Sequence, residues 1–318
     1  MAETNIRRLT ADDAEAVVNC FHRVYGDSYA NALFYDVARM RDAMVSGALH
    51  SVGAVTADGR VLAHMAMTIV PDARIPELGN TVVDPDARGG GIAWQVGAEL
   101  TRWCRELGYA GFLHYPTTDH HIMQRHSVKT GFETGLMLGY IPAETDGKVQ
   151  VREAHRRQAA TIVYEPLGEA AAGEGYRPAY GADLLDTFVA STGLERRWQT
   201  GTAAAQDHTT SRLEHVARRG LARLRVRSVG SDLDRALASI AATRAPCRQI
   251  DFDMADPAIG TGVDLASRAG YVFCGWLPCF GAGDVYRMQS VDKTVTDLQP
   301  AVVNPVAQAL LTRLQSEL

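Results

Sequence analysis

A glycine-rich loop between a predicted strand and a predicted helix is the part of this sequence best suited to bind a ligand. The residues before it, 81–83, favour a β-strand, and Asp84-Pro85-Asp86 has the composition of a turn. Three consecutive glycines at 89–91 let the backbone approach a ligand closely. The helix that follows would present its free N–H groups and the positive end of its dipole close to Arg88. Together these features predict a site for a phosphate or pyrophosphate.

The elements around the loop are predicted from apolar spacing. The helix after the loop has apolar residues at intervals of four and three, namely Ile92, Val96, Leu100, Trp103 and Leu107. Gly108 is placed to end this helix. The apolar segment 110–115 then predicts a buried strand, and a second helix is expected to end before Gly131-Phe132. The loop is therefore positioned by a strand on one side and a helix and strand on the other.

Three kinds of phosphate-binding loop have a glycine-rich turn of this sort. A Walker loop ends in Gly-Lys-Ser/Thr, which this loop lacks. A Rossmann loop needs Gly-x-Gly-x-x-Gly with an acidic residue about 20 positions later, and residues 89–93 do not have that glycine spacing. The third pattern is R-x-x-G-x-G/A, and residues 88–93 match it at each fixed position. This segment resembles the acyl-CoA pyrophosphate loop of the GNAT superfamily of N-acetyltransferases.

The order of the predicted elements extends the resemblance over residues about 5–142. A first strand is predicted at 5–10, and a first helix opens at 11–14. Two strands, 50–55 and 60–67, flank an Asp-Gly turn and predict a hairpin. The resemblance implies an α/β fold with a mixed, strongly twisted sheet flanked by helices.

The resemblance also implies which residues bind the acyl donor. The loop and the strand before it would hold the phosphopantetheine arm of a thioester, supplied by acyl-CoA or by an acyl carrier protein. The thioester carbonyl would lie beside that strand, in a wedge opened against the strand at 110–115. The residues implied in donor binding are Thr81, Val82, Val83, Arg88, Gly89, Gly90, Gly91, Ile92 and Ala93.

Acyl transfer to an amine needs a base for the amine proton and a proton source for the leaving thiolate. The resemblance implies a tyrosine as this acid, four residues before Gly131, with an asparagine seven residues earlier. This chain has Ser127 and His120 at those positions, so Ser127, His120 or the adjacent His121 are candidates to replace the tyrosine. The alternative is a thiolate that leaves without a dedicated acid. Glu77, at the start of the strand, is the candidate base, with a solvated strand end as the alternative.

The acceptor pocket is expected at the end of the first helix, because this region lines it in GNAT folds. Tyr25 and Tyr29 are the candidates there, and the alternative is a surface helix with aromatic anchors. His114, in an otherwise apolar strand beside the wedge, is a third candidate, with a hydrogen-bonded core histidine as the alternative. The histidines at 120, 121 and 126 fit no standard ligand spacing, so no metal is predicted.

Composition narrows the class of protein. The chain has 318 residues, a hydrophobic content of 46% and a net charge of −5, which favour a soluble globular protein of about two domains. The acidic balance argues against a sequence-independent nucleic-acid binder. The first residues have no secretory pattern, and no apolar run approaches the roughly 20 residues of a membrane span. With five scattered cysteines, these features predict a cytoplasmic protein.

The second half of the chain repeats the end of the first half in pattern. A helix at 233–243, a strand at 248–254 and a helix closing on Gly270-Tyr271 parallel the earlier elements, but no R-x-x-G-x-G/A loop precedes them. We therefore expect two GNAT-like domains, a catalytic one at 1–142 and a degenerate one at 159–318, with a connector at 143–158. The alternative is an unrelated α/β extension.

The sequence as a whole predicts an acyltransferase that acts on the amine of a small molecule. Alternatives are a non-catalytic CoA sensor or interaction module, and a thioester decarboxylase on the same fold. A carrier-protein donor would need a basic docking face. Its candidate residues are Arg102, Arg105, Arg125 and Lys129, and solvated helix faces are the alternative interpretation.

Overall fold

The computed structural model describes residues 4–118, 121–143, 156–169, 172–201, 203–216 and 219–318. Residue contacts divide the chain into two compact units, which we describe separately. Residues 4–114 belong to the first unit, and the described residues after 114 belong to the second. Each unit contains parallel and antiparallel strand neighbours together with helices, which confirms the predicted α/β class.

The described residues of the first unit contain five strands in chain order. Its elements are β1 (Thr4–Arg8), α1 (Ala14–Tyr25), α2 (Val37–Val45), β2 (Leu49–Thr56), β3 (Val61–Thr68), β4 (Glu77–Val83), α3 (Ile92–Glu106) and β5 (Gly111–His114). Strands β1 to β4 are antiparallel neighbours, whereas β4 and β5 are parallel. A parallel pair requires a crossover connection, and the predicted loop together with α3 provides it.

The helices α1 and α3 lie on opposite faces of this sheet. Alternate residues of a strand point to opposite faces, and β3 shows both contacts. The ring of His64 packs edge-on against Phe21 of α1, with ring centroids 5.6 Å apart, whereas Met65 lies against Gly97 of α3. The α1 side forms a core of buried side chains that includes Phe34 and Val82. This core fixes β4 beneath the end of α1.

The second unit begins with the segment after β5. Its elements are α4 (His121–Thr130), β6 (Phe132–Ile141), β7 (Gln158–Pro166), β8 (Gly173–Arg177), α5 (Ala182–Thr192), β9 (Arg196–Thr200), β10 (Thr210–Val216), β11 (Leu221–Ser228), α6 (Leu233–Ala242), β12 (Cys247–Asp253), α7 (Ile259–Arg268), β13 (Val272–Leu277), β14 (Val285–Val291) and α8 (Pro305–Glu317). Its larger sheet has the strand order β7-β6-β13-β14-β12-β11-β10, and β8 pairs with β9 separately.

One series of connections occurs twice along the chain. An antiparallel pair, β3 and β4, is followed by a parallel crossover through α3 to β5, then by α4 and the antiparallel pair β6 and β7. The same description fits β10 and β11, the crossover through α6 to β12, then α7 and the antiparallel pair β13 and β14. The repeat is therefore one of topology as well as of sequence pattern.

Four strands, β8 to β11, were not predicted from the sequence, and the glycines of β8 had indicated a loop at 168–175. Most side chains of β9 and β10 are exposed or half-buried, so these strands carry no apolar alternation. In β11 the charged Arg223 is buried among apolar residues, which hides the strand from a hydrophobic pattern. The division after residue 114 is one of contacts, and the domain boundary expected at 142 stays a prediction. In the described part of the chain, each helix is too short or too polar to span a membrane.

Candidate functional site

The loop between β4 and α3 leaves open space at its glycines. Gly89 and Gly91 have φ angles of +84° and +71°, a region that favours glycine. A Cβ added at Gly89 would meet no atom within 4 Å, and one at Gly91 would meet only Trp94 at 4.0 Å. These glycines are thus required by backbone conformation and not by packing inside the protein. The space beside them is available to a ligand.

Helix α3 begins at Ile92, directly after the loop. The first N–H groups of an α-helix have no partner within the helix, and the helix dipole adds positive potential there. The first turn of α3 contains no acidic residue, and Arg88 is exposed just before it. An anion at this end would meet backbone donors, and the nearby guanidinium would add to the attraction.

Asp84 anchors the start of the loop. Its buried carboxylate accepts hydrogen bonds from Arg23 Nε and Arg60 Nη2, both at 2.8 Å, and caps the short helical turn at 85–87 by accepting from Asp86 N–H. Burial opposes ionisation of Asp84, but the two guanidinium groups outweigh it and hold the pKa of this carboxyl below its usual value. An open cleft of about 1000 Å³ lies beside this anchor, between the end of α1 and residues 84–86.

Strand β4 contains a bulge in the middle of its ladder with β3. The register passes from Ala66 opposite Gly79 to His64 opposite Val82, so two residues of β4, Asn80 and Thr81, face one residue of β3. Asn80 has a φ angle of +52°, which a non-glycine residue seldom adopts. A bulge takes backbone groups out of the ladder and redirects the strand. It therefore creates a place where backbone N–H groups can serve a ligand.

Strands β4 and β5 share a short ladder. Their parallel register consists of Glu77 opposite Leu113, and Leu113 N–H donates to the Pro76 carbonyl at 3.0 Å. Both strands lie wholly within the described residues, and β4 continues to Val83 beyond this pair. Past Glu77, β4 is therefore not paired with β5, as a wedge between the two strands requires. Glu77 itself is half-buried at the closed end of the pair.

The predicted acceptor tyrosines lie next to the bulge. Tyr29 donates its hydroxyl hydrogen to Asn80 Oδ1 at 3.1 Å, and its ring lies 4.9 Å from that of Tyr25. Asn31 Nδ2 donates to the same oxygen at 3.2 Å. The structure thus brings Tyr25 and Tyr29 together with a polar group of β4.

The remaining predicted site residues belong to neither the bulge nor the glycine loop, but to the end of β5 and to α4 with the residue before it. His114 ends β5 half-buried, with its ring edge-on to Phe112 at 5.8 Å. Ser127 is buried in α4 and donates its hydroxyl hydrogen to the Met123 carbonyl at 2.9 Å, so this proton is already engaged. His120 lies outside the described residues, and so does the side chain of His121. Among the described residues no group of His, Cys, Asp and Glu side chains is placed to hold a metal.

The sequence of this loop and its surroundings matches a known family. The model of the family described as Acetyltransferase (GNAT) family matches residues 14–132, from the start of α1 to the start of β6. This part of the chain is a GNAT domain. The match confirms the family predicted from the loop, whereas it does not extend to the second half of the chain.

Solved structures similar to this chain include several acetyltransferases. A phosphinothricin acetyltransferase from Sinorhizobium meliloti, in complex with AcCoA, is 20% identical, with a TM-score of 0.41, 53% of this chain covered and 90% of that one. The ribosomal-protein-S18-alanine N-acetyltransferase of Escherichia coli is 18% identical, with a TM-score of 0.41, 53% of this chain covered and 97% of that one. No curated protein matches the chain. The assignment of the GNAT domain rests on the family match.

Two residues of the GNAT domain beside the bulge were not singled out from the sequence. His64 interrupts the apolar segment 61–70, and Asn80 directly precedes the predicted strand residues 81–83. A polar residue within or beside a predicted strand is the signal that could have found both, because a polar group that becomes buried needs a specific hydrogen-bond partner. The bulge that gives them their partners follows from the strand register, which the sequence pattern does not specify.

Proposed function

We propose that the GNAT domain transfers an acyl group from a phosphopantetheine thioester to the amine of a small molecule. The observation that carries this proposal is the unobstructed loop at the start of α3, where Gly89 and Gly91 leave open space and Arg88 is exposed. Such a helix start suits the phosphate groups of the donor. The family match supports acyl transfer in general. The identities of the donor and of the acceptor are our proposal.

The chemistry needs little covalent help from the protein. An N–H group of the bulge, within residues 80–82, polarises the thioester carbonyl and stabilises the oxyanion that forms when the amine nitrogen attacks the carbonyl carbon. Glu77 takes the proton of the amine, directly or through water. The C–S bond then breaks, and the thiolate leaves with a proton from solvent or from a side chain near the start of α4.

The proposal takes CoA as the donor. A CoA pyrophosphate offers two phosphate groups to the helix N-terminus, whereas a carrier-bound arm offers one phosphodiester. A carrier protein would also need a basic face, but the exposed Arg102 of α3 is already paired with Glu99. An acyl carrier protein is therefore the second candidate for the donor, and its test is given in the Discussion.

We also propose that the second half of the chain is a degenerate GNAT-like domain. The repeated connections through α3 and α6 support this proposal, while the loop before α6 is much shorter than the one before α3. Residues 229–232 connect β11 to α6, whereas residues 84–91 connect β4 to α3. In the proposed arrangement donor binding belongs to the first half alone.

A non-catalytic CoA sensor is the second candidate function. One observation favours it, namely that Ser127 stands where the family's acid is expected and already donates its hydroxyl hydrogen to Met123. The two functions differ in turnover and not in donor binding. A sensor would bind CoA without consuming acetyl-CoA in the presence of amines.

The experiment combines calorimetry with an assay for released thiol. Wild-type protein should bind CoA and should release CoA from acetyl-CoA in the presence of at least one member of a panel of small amines. Arg88→Ala should weaken CoA binding by about tenfold, because a charge-assisted hydrogen bond is lost. Gly91→Asn should weaken it by a similar factor, since asparagine tolerates the left-handed conformation and its side chain fills the space for the phosphates.

Matched controls separate ligand contacts from effects on the helix. Gly108 ends α3 with a φ angle of +83° and has open space around it, so Gly108→Asn introduces the same change at the other end of the helix. Arg102→Ala removes the same charge from α3 away from the loop. Both controls should keep the wild-type affinity. Donor affinity that is equal in all four variants would refute the loop assignment, and binding without turnover would favour the sensor.

A further inference from the structure

A fully buried histidine joins two other strands at the bulge of β4. His64 lies in β3 with no solvent-exposed surface. Its Nδ1 atom is 3.1 Å from the carbonyl oxygen of Asn80, and its Nε2 atom is 3.0 Å from Ser51 Oγ in β2. A buried polar group is costly unless it is hydrogen-bonded, and both ring nitrogens here have partners. The histidine therefore ties the bulge to the interior of the sheet.

The partners of His64 determine its tautomer. The Asn80 carbonyl can only accept a hydrogen bond, so Nδ1 carries the proton and donates it, while Nε2 accepts from the Ser51 hydroxyl. Burial lowers the pKa of His64 to about 4, which keeps the ring neutral near pH 7. The hydrogen bond to the bulge is consequently maintained without a change of charge.

The side chain of Asn80 is oriented by a second chain of hydrogen bonds. Leu33 N–H donates to Asn31 Oδ1 at 3.2 Å, so the amide nitrogen of Asn31 is the group that faces Asn80. Asn80 Oδ1 accepts from this nitrogen and also from the Tyr29 hydroxyl. Because its oxygen is occupied by two donors, the group that Asn80 offers to a ligand is Nδ2, a donor.

Aromatic rings border this donor. The rings of Tyr25, Tyr29 and Phe21 pack against one another with centroids 4.8 to 6.0 Å apart, and both tyrosines are half-buried. An apolar wall with one oriented polar group is the usual composition of a small-molecule site. This region of the site thus combines aromatic side chains with the hydrogen-bond donor of Asn80.

We propose that the chain of hydrogen bonds Ser51–His64–Asn80 builds the acceptor side of the active site. His64 is a positioning residue that fixes the backbone of the bulge, and Asn80 is a specificity-determining residue. Its Nδ2 binds a carbonyl or carboxylate oxygen carried by the amine substrate, while the tyrosines contact the apolar part of that substrate. This proposal rests on the acyltransferase function proposed above.

Substitutions at Asn80 and His64 separate the two roles. Asn80→Gly keeps the positive φ and removes the carboxamide, so the KM for an amine bearing an oxygen acceptor should rise by about tenfold with kcat nearly unchanged. The KM for an amine without that oxygen should rise by a clearly smaller factor. His64→Phe keeps a ring but removes both hydrogen bonds, and kcat should fall by about a hundredfold, as expected when reacting groups are misplaced.

Conservative variants distinguish positioning from a general loss of structure. In His64→Asn the side-chain nitrogen can take the place of Nδ1, so this variant should recover most of the kcat that His64→Phe loses. Ser51→Ala leaves the bond to Asn80 intact and should lower kcat by no more than about threefold. The affinity for CoA should stay at the wild-type value in all variants. Equal losses of kcat in His64→Phe and His64→Asn, or an unchanged KM in Asn80→Gly, would overturn the proposal.

A measurement without turnover separates this proposal from the acyltransferase function. Nitrogen-15 NMR should show His64 as the Nδ1–H tautomer with no titration between about pH 5 and 8. Amide hydrogens at 79–82 should exchange at least about tenfold faster in His64→Phe than in the wild type. If both the tautomer and the exchange rates are as expected but the wild type acylates no amine, the proposed acyltransferase function is wrong. The proposed positioning of the bulge by His64 is then still supported. An Nε2–H tautomer or unchanged exchange would refute the positioning role.

Discussion

Two parallel crossovers of this protein have the same topology but differ in how far their strands are paired. They are β4–α3–β5 and β11–α6–β12. In the first, the strands are paired at Glu77 and Leu113, and β4 continues beyond them. In the second, the ladder runs without interruption from Leu221 opposite Cys247 to Val226 opposite Phe252. An arm inserted between strands needs the first arrangement, because a continuous ladder leaves no room for it.

The N-termini of α3 and α6 also differ, and again the first is the more open to an anion. The first turn of α3 contains no acidic residue, whereas α6 has Asp232 at its N-cap and Asp234 in its first turn. A Cβ added at Gly230 would lie 2.1 Å from the backbone of His208 and Thr209, so neighbouring chain fills the space that is open at Gly91. The same topology can therefore leave space for a ligand or form a closed core, depending on the loop and on strand pairing.

Buried charge makes the closed crossover sensitive to mutation. Arg287 of β14 has no exposed surface and donates Nε and Nη2 to the two oxygens of Asp251 in β12, at 2.6 and 2.8 Å. Arg287→Met should lower the free energy of unfolding by about 3–5 kcal/mol, because the buried Asp251 loses both of these hydrogen bonds and is left with the longer ion pair to Arg223, at 3.8 Å. Denaturant titration of the full chain measures this loss. The double variant Asp251→Asn with Arg287→Met should be more stable than Arg287→Met, and losses that simply add would contradict the explanation.

Buried ionisable groups of the two units also respond differently to pH. His64 has two partners, whereas the oxygens of Glu133 in β6 accept no hydrogen bond from the described residues. Burial raises the pKa of Glu133 to about 7, and the nearby Thr161 hydroxyl partly opposes this shift. The folded state therefore holds this proton more tightly than the unfolded state, and stability is lost as pH rises from about 4.5 through about 7.

The corresponding test is Glu133→Gln. Relative to the wild type, the variant should gain up to about 3 kcal/mol of unfolding free energy above pH 7, and less than about 1 kcal/mol below pH 5. Thermal unfolding at a series of pH values measures the difference. A difference that does not grow with pH would show that the pKa of Glu133 is not raised in the folded protein.

Donor stoichiometry tests whether the second crossover is closed to ligands. Calorimetry should give one CoA per chain, because the wedge and the open loop occur together in the first unit. Asp234→Asn removes an acidic side chain from the first turn of α6 and should still give one CoA per chain, since the backbone near Gly230 blocks the approach. Two CoA molecules per chain in either protein would refute the proposed degenerate domain.

The smallest expected effect concerns the exposed charges of α4. Arg125 and Lys129 are exposed and one helical turn apart. Reversing both charges should change turnover of acetyl-CoA by less than about twofold, because the phosphates of acetyl-CoA are proposed to bind at residues 88–93 and solvent screens exposed charges that do not contact them. The same variant assayed with a carrier-bound acyl group should slow much more if an acyl carrier protein docks there. If the variant slows transfer from both donors by the same factor, docking at this face is excluded.

Local sequence specified the elements of the site well. The strand β4, the glycine loop and α3 were predicted within a few residues, because β-formers, turn residues and helical spacing act locally. The family followed from six residues, 88–93, for the same reason. Local sequence thus determined where the loop stands in the fold and which backbone groups would face a phosphate at the proposed site.

The tertiary structure decided what lies beside those backbone groups. The bulge at Asn80, the hydrogen bonds of His64 and the short ladder of β4 with β5 depend on strand register, and register is set by contacts between residues far apart in sequence. The buried Arg223 of β11 was not recognised for a related reason, because its partners Gln249 and Asp251 lie on β12. Sequence determined the conformation of each segment, whereas pairing between segments decided which crossover is open and which is closed.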